Sequence, residues 1–304
     1  MYPRRFLEWI DIKRLHWYLL SINLPYPQLL EKYRHHIELD WICHNPNAIY
    51  LIEKNLDKLS KENWQTISIN PGAIKLLEKN PDKIDWSYLS GNPEAIDLLK
   101  AHPDKIDWFH LSHNPKAICL LEKNLDKIDW LNLSENPQAG KILERNPNKI
   151  HWSTFSMHQT DTKLLEKFKH RLDWDFVSLN RAAISILEKN RDKINWSNLS
   201  TLSEAIYLLE ANQDKIDWEK IPLNEAAVHI IEKNLDKFTD ISWCYLSDNP
   251  SAVPILEKNI DETHYNWLSR NPGITEWSRI KYLHKQKILQ KILIKDLHNY
   301  LIDF

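Results

Sequence analysis

One segment specifies the architecture of this 304-residue chain, and it runs Ile84-Asp85-Trp86-Ser87-Tyr88-Leu89-Ser90-Gly91-Asn92-Pro93-Glu94-Ala95-Ile96-Asp97-Leu98-Leu99-Lys100. Its tryptophan recurs every 22 residues, at Trp64, Trp86, Trp108, Trp130, Trp152, Trp174, Trp196 and Trp218. The series extends with small insertions to further tryptophans on both sides, at Trp17, Trp41, Trp243 and Trp267. A fixed period of this length is the signature of a repeat architecture, so nearly the whole chain is predicted to be one array.

The pair Asn92-Pro93 predicts the start of a helix in this unit. The Asn side chain accepts from free N–H groups of the first turn, and Pro at the first helical position removes only a donor that would have no partner. The residues from Ala95 to Leu99 then supply an apolar face at helical spacing. The matching helix of the unit before should end near Asn80, because Pro81 prevents continuation, which gives a length of about ten residues.

The other half of the unit, around Trp86, is compatible with two structures. Alternation at Ile-x-Trp suits a short strand, and a 22-residue period lies within the range of leucine-rich repeats. Asp85 directly before Trp86 is, however, a typical N-cap, and Trp with Leu89 three residues later marks a helix face. The positions between them lack the β-branched enrichment of strands. We therefore favour a short second helix in each unit.

These features predict an all-α fold: a right- or left-handed α-solenoid of about eleven two-helix repeats of 22–25 residues. Residues 1–40 would form a degenerate first repeat and N-terminal cap, 41–275 the array, and 276–304 a C-terminal capping helix. That last helix has an alternative role as a basic amphipathic helix for a membrane or a partner. Stacking would give an open curved rod on the order of 100 Å long. The structural core should contain the recurring indoles of Trp64, Trp86, Trp108, Trp130, Trp152, Trp174, Trp196, Trp218 and Trp243.

Composition argues against several function classes. With 40 Lys+Arg against 42 Asp+Glu the net charge is -2, which disfavours binding to nucleic acid or anionic membranes. Only 4 glycines occur, and no glycine-rich phosphate loop or nucleophile elbow is present. Carboxylates recur in every unit and the 14 histidines are dispersed, whereas catalysis needs one distinctive site. We expect no enzyme activity, no catalytic residue, no cofactor and no metal.

Cysteine usage and hydropathy indicate the compartment. Cys43, Cys119 and Cys244 are odd in number and widely spaced, as in a reduced intracellular protein. Charged residues interrupt the N-terminus before a signal-peptide core could form, and no stretch reaches the length of a membrane span. The sequence predicts a soluble protein without a secretion signal.

Differences among the units indicate a binding surface. The two positions after each tryptophan vary, and some carry apolar or aromatic residues where other units are polar. Aromatic anchors in a polar surround are what a protein-binding groove needs. The candidate partner-binding residues are Tyr88, Phe109, His110, Leu131, Phe176 and Tyr245. The alternative is neutral drift of solvent-facing positions.

One unit departs most from the pattern. In residues 157–163 the Asn-Pro start is absent, and Thr162 replaces the apolar Ile. Loss of the cap should cost about 1 kcal/mol. This unit is predicted to be a bend or weak joint, or else a docking point for a partner.

The unit Asn-Pro-x-Ala-Ile-x-Leu-Leu-Glu-Lys-Asn-Pro-Asp-Lys-Ile-Asp-Trp-x-x-Leu-Ser resembles short α-helical repeats of large paralogous families in giant DNA viruses of the Marseillevirus and Mimivirus kind. The resemblance covers residues 15–275 and carries no site residues with it. It implies a viral protein that acts by binding in the cytoplasm of an infected host cell or in the virion. A protein-binding solenoid is the leading hypothesis; a structural, packaged virion component and a nucleic-acid reader are the alternatives. The sequence leaves the oligomeric state open.

Overall fold

The computed structural model describes residues 6–275, and every regular element in that range is helical. The α-helices are α1 (Trp17–Asn23), α2 (Pro27–Lys32), α3 (Leu39–Ile42), α4 (Ile49–Glu53), α5 (Lys61–Ile69), α6 (Ile74–Lys79), α7 (Trp86–Ser90), α8 (Ile96–Ala101), α9 (Trp108–His113), α10 (Ile118–Leu121), α11 (Trp130–Glu135), α12 (Gly140–Arg145), α13 (Trp152–His158), α14 (Thr162–Lys167), α15 (Trp174–Val177), α16 (Ile184–Lys189), α17 (Trp196–Leu199), α18 (Ile206–Glu210), α19 (Val228–Ile231), α20 (Asp240–Asp248), α21 (Val253–Lys258) and α22 (Tyr265–Leu268).

Short 3₁₀ helices connect these elements. They are Ile12–Arg14, Arg34–His36, Leu56–Lys58, Pro71–Ala73, Pro81–Lys83, Pro103–Lys105, Pro147–Lys149, Lys169–Arg171, Arg181–Ala183, Arg191–Lys193, Ser203–Ala205, Gln213–Lys215, Ile221–Leu223, Glu225–Ala227, Leu235–Lys237, Pro250–Ala252, Ile260–Glu262 and Pro272–Ile274. Helices contact their neighbours in sequence order. The all-α prediction is confirmed, and the strand alternative for the Trp segment is wrong for the residues described.

Most units have a first helix, which begins at or near the tryptophan, and a second helix, which follows the position of the Asn-Pro pair. Asp107 caps the first helix α9 as expected, because its side chain accepts from the His110 backbone N–H. The predicted ten-residue second helix is divided in two. Asn70 accepts from Gly72 N at 2.9 Å, a 3₁₀ turn follows, and only then does α6 begin. The α-helical part is therefore shorter than predicted.

The fully buried residues are the leucines of both helices and the alanine between them. Leu111, Ala117 and Leu121 are buried completely or nearly so, as are their counterparts in other units. Of the tryptophans predicted to form the core, Trp64 and Trp243 are buried. The others are half-buried and pack against the core from its edge; they are Trp86, Trp108, Trp130, Trp152, Trp174, Trp196 and Trp218. Several indoles are covered by a cation, such as Lys105 Nζ at 4.8 Å from the Trp86 ring centre.

Two columns of polar side chains join each unit to the next. Ser90 Oγ donates to the Trp86 carbonyl at 2.8 Å and accepts from Asp107 N of the next unit at 2.9 Å. Asn114 Nδ2 donates to the carbonyls of Ser90 and Asn92 in the unit before, at 3.1 and 3.0 Å. Equivalent bonds recur along the described chain, for example from Asn136. Buried backbone groups at each interface therefore obtain the partners that burial requires.

The same bond joins the first described unit to the last. His16 N donates to Ser269 Oγ at 2.8 Å, as Asp107 N does to Ser90 Oγ. Leu7 N also donates to the Ile274 carbonyl at 2.9 Å. An isolated antiparallel bridge pairs Phe6 with Thr275. We call the contacts between residues 6–16 and 265–275 the seam.

The seam corrects the expected shape. Two ends of an open rod on the order of 100 Å long could not exchange hydrogen bonds, because the 11 residues of 6–16 span at most about 40 Å even when fully extended. The expectation of an open rod is therefore wrong. The stretch proposed as an N-terminal cap includes residues that pack on the last unit. The proposed capping helix at 276–304 lies outside the described residues.

Curvature places the two kinds of helix on different sides. First helices of successive units contact each other directly, as α9 and α11 do, whereas successive second helices approach each other less closely. In an array whose ends meet, the more crowded elements lie on the side of smaller circumference. The first helices therefore lie on the inner side.

The divergent unit keeps a helix cap by a different route. Asp161 accepts from Lys163 N and Leu164 N at the start of α14, so the expected loss of a cap is wrong. Gln159 accepts from two backbone N–H groups with its Oε1, while its buried Nε2 has no partner among the described residues. This unit therefore differs from the others in its hydrogen bonding by one buried amide donor, Gln159 Nε2, that has no partner among the described residues.

A close backbone approach explains one glycine and provides a test. A Cβ on Gly72 would overlap the carbonyl oxygen of Pro46, which belongs to the backbone and not to a flexible side chain. We expect Gly72→Ala to lower the free energy of unfolding by about 1–3 kcal/mol, as overpacking does. At Gly91 the nearest atom to a new Cβ is the flexible Ile69 Cδ1 at 3.4 Å, so Gly91→Ala is the matched control with little expected loss. Urea unfolding measures both; equal stability of the two variants would contradict the prediction.

None of the helices within residues 6–275 is both long enough and apolar enough to cross a bilayer.

Candidate functional site

The distance from each Asn-Pro pair to the preceding tryptophan shows that the alignment of units on tryptophan is wrong at both ends of the array. Trp64 and Trp243 stand six residues before their Asn, as in the central units, but Trp41 and Trp267 stand only four residues before theirs. Tyr265 begins α22, which is the first helix of the last described unit, and it occupies the position that tryptophan holds in the central units. Trp41 and Trp267 therefore belong to the variable positions, and the prediction that they continue the tryptophan series is wrong.

We define the variable row as the aromatic side chains at the first two positions after the tryptophan position, together with the exposed Leu131. Its members are Tyr18, Trp41, Tyr88, Phe109, His110, Leu131, Phe176, Tyr245 and Trp267. Phe109 is 56% exposed and Leu131 is 46% exposed, and Tyr88 and Phe176 are also exposed. His110 and Tyr245 are half-buried.

Three of the predicted residues form one cluster. The Tyr88 and His110 rings stack with centres 5.8 Å apart, and the Phe109 ring meets that of His110 edge-on at 5.3 Å. His110 Nδ1 lies 3.1 Å from Asp107 Oδ1. Partial burial raises the pKa of Asp107, but hydrogen bonds from the His110 backbone N–H, the Ser87 hydroxyl and the His110 ring outweigh it and hold the pKa below its usual value. The cluster therefore rests on an ionised carboxylate at neutral pH.

Asparagine side chains that bond to the preceding unit lie near Leu131 and Phe176. Asn132, beside Leu131, donates to the Phe109 carbonyl of the unit before at 3.0 Å. Near Phe176, Asn198 donates in the same way to the Asp175 carbonyl at 3.0 Å. These bonds fix the backbone beneath the exposed apolar side chains, so the anchors stand on a rigid support.

Two further aromatic pairs lie on either side of the seam. The Tyr245 and Trp267 rings meet edge-on with centres 5.5 Å apart, and the Tyr18 and Trp41 rings lie 5.3 Å apart. The His16 to Ser269 hydrogen bond makes the units of Trp267 and Tyr18 neighbours. The two aromatic pairs therefore occupy four consecutive units, although they come from opposite ends of the sequence. Tyr18, Trp41 and Trp267 are not among the residues predicted from the sequence; for Trp41 and Trp267 the available signal is the four-residue spacing to an Asn-Pro pair.

Three groups that can bind a metal converge beside Tyr245. Ligand atoms of Asp240, Cys244 and His264 lie within 4.8 Å of one another. His264 Nε2 is 3.0 Å from Asp240 Oδ1. Burial and the negative charge of Asp240 raise the pKa of the Cys244 thiol. The sequence alone does not indicate this cluster, because His264 lies 20 residues after Cys244 in the chain.

The other cysteines have different surroundings. All three cysteines are free thiols. Cys43 lies in the core, where burial raises its pKa to about 12, while Cys119 is exposed. Neither belongs to a group of three potential metal ligands within the described residues.

Comparison with known protein families, with curated proteins and with solved structures finds no match to this chain.

Proposed function

We propose that this chain is a non-enzymatic repeat protein that binds a protein partner through the variable row. The proposal rests on the contrast between the constant, buried positions of the repeat and its variable, exposed positions. The leucine, serine and asparagine columns are nearly constant and buried, whereas exposed aromatic and aliphatic side chains occur at the variable positions of the same helices. Exposed aromatic anchors on a rigid polar support are typical of binding hot spots.

The geometry favours an extended segment as the partner. The row follows the first helices, which lie on the inner side of the curved array, and its members come from eight of the described units. An extended segment that runs along this side can place one of its side chains against the row in every unit or in every second unit. Carboxylates flank the row, among them Asp40, Asp107, Asp175 and Glu219. A segment with basic residues between apolar anchors would therefore be complementary, while nucleic-acid phosphates would be repelled.

The finer architecture and the biological setting belong to the same proposal. A solenoid of two-helix units is supported by the recurring bonds from each Asn and Ser to the neighbouring unit. The resemblance of the unit to repeats of giant DNA viruses supports a viral protein acting in the infected cytoplasm or in the particle. A packaged structural component is the alternative, and it would act through contacts between whole molecules.

Selection from a random peptide library on the purified chain tests the proposal. We expect selected segments to combine basic residues with aromatic or aliphatic anchors, and we expect the double variant Tyr245→Ser, Trp267→Ser to bind them at least about tenfold more weakly. The measurement is fluorescence anisotropy with a labelled selected segment.

Two exposed apolar residues outside the row provide the control. Leu125 and Ile260 are more exposed than Tyr245 and Trp267, and they lie at the start of the connecting segments after the second helices. The variant Leu125→Ser, Ile260→Ser should keep the affinity of the natural chain. Equal loss in both double variants, or none in the row variant, would refute the variable row as the binding surface.

A further inference from the structure

The cluster of Asp240, Cys244 and His264 offers three different ligand types to one point. The carboxylate, thiol and imidazole come from two neighbouring units, and their ligand atoms lie within 4.8 Å of one another. Asp240 and Cys244 stand four residues apart on α20, so both project from the same face of that helix. His264 precedes α22 in the next unit and lies across from that face.

The cluster depends on two departures from the repeat. The interval from Trp218 to Trp243 is 25 residues instead of 22, and α20 starts three residues before its tryptophan, with Asp240 in the added turn. His264 stands where most other units carry Asp or Asn as the cap of the first helix, and its side chain makes no capping bond. The added turn has its own cap, because Ser242 Oγ accepts from Thr239 N at the start of α20. Both departures bring a ligand toward Cys244.

We propose that Asp240, Cys244 and His264 bind a zinc ion. Zinc takes thiolate, imidazole and carboxylate ligands at about 2.0–2.3 Å, which corresponds to ligand atoms about 3.3–3.8 Å apart in a tetrahedron. Small side-chain rotations bring the three groups from their present spacing to that distance. Three protein ligands leave the fourth position to water, and the mixed soft and borderline set excludes calcium and magnesium, which need oxygen ligands.

Binding changes the protonation of two of the ligands. The Cys244 thiol gives its proton to solvent and coordinates as thiolate, while His264 coordinates through Nε2 and carries its remaining proton on Nδ1. Asp240, which now faces His264 Nε2 at 3.0 Å, turns one oxygen to the metal. The bound ion would join two units beside Tyr245 and Trp267, so it would also stiffen the seam-side part of the variable row.

Titration of the chelator-treated full chain with Co²⁺ and Zn²⁺ tests the site. We expect one Co²⁺ per chain with thiolate-to-cobalt charge-transfer absorption, displacement of Co²⁺ by Zn²⁺, and a Kd on the order of micromolar, weaker than at four-ligand sites. Cys244→Ser should remove the charge-transfer absorption. His264→Asn should weaken binding by at least the 10- to 100-fold that loss of an outer-shell partner costs.

Cys119→Ser is the matched control, because Cys119 is an exposed thiol outside the cluster. It should bind cobalt as the natural chain does. Circular dichroism establishes that each variant is folded. Absence of saturable binding, or unchanged absorption in Cys244→Ser, would overturn the zinc site and leave an ordinary ion pair between Asp240 and His264. Peptide binding by the variable row would be unaffected by that outcome, so the two proposals fail separately.

Discussion

The double variant Phe6→Cys, Thr275→Cys is expected to form a disulfide spontaneously in air, joining residues that stand 269 positions apart. The two residues are partners in an antiparallel bridge. Cα atoms of such partners lie about 4.5–5.5 Å apart, within the range that a disulfide requires. Cys119 is replaced by Ser in this variant, because its exposed thiol could form mixed disulfides. Mass spectrometry under non-reducing conditions measures the bond.

The stabilisation should be large because the closed loop is long. Loop-closure entropy predicts about 5 kcal/mol for a loop of this size. The comparison is between the oxidised and reduced forms of the same variant, since removing the buried Phe6 ring itself lowers stability. We expect a rise in melting temperature on the order of 10 °C on oxidation.

The control pair combines Phe6→Cys with Ser153→Cys, which lies in α13 in the middle of the array. This pair should remain reduced under the same conditions. If the 6–275 pair also stayed reduced, the seam would be absent in solution and the open rod would be restored.

Replacement of Asn114 by Asp is expected to destabilise the chain by about 3 kcal/mol, although Asp caps helices as well as Asn does. The carboxylate keeps the acceptor for Lys116 N. It removes the Nδ2 donor shared by the Ser90 and Asn92 carbonyls and sets a charged oxygen against them. Asn114 is fully buried, so water cannot take the place of the lost donor.

Asn124→Ala provides the comparison for this prediction. Asn124 is half-buried, and its Nδ2 donates within its own unit to the Leu120 carbonyl at 2.9 Å. Its loss should cost about 1 kcal/mol, the usual value of one hydrogen bond. Urea unfolding monitored by tryptophan fluorescence measures both variants. Stability of Asn114→Asp equal to that of the natural chain would show that Asn114 serves only as a cap.

Local rules were sufficient to predict the helices and their caps. Asp107 before Trp108 and Asn70 before Pro71 act as caps in the structure because capping depends on residues within one turn. Local capping rules did not predict the hydrogen bonds that the side-chain amide of Asn114 donates. Its Nδ2 acts on the preceding unit, and the capping role already accounted for the residue.

The errors in shape and register have separate causes. Closure depends on a small angle added at every interface, and no residue pattern within one unit records that angle. Alignment on tryptophan places Trp41 and Trp267 in the tryptophan series, although Leu39 and Tyr265 hold the equivalent position in those two units. The Asn-Pro pairs at Asn45 and Asn271 give the correct alignment at the two ends and place both indoles in the variable row.

The seam has a consequence for how this chain can evolve. Duplication or loss of one unit by recombination merely lengthens or shortens an open array. Here His16 must still meet Ser269, so one unit more or fewer would change the bend at every interface at once. The geometry therefore keeps the number of repeat units constant, and the chain diversifies through substitutions at exposed positions.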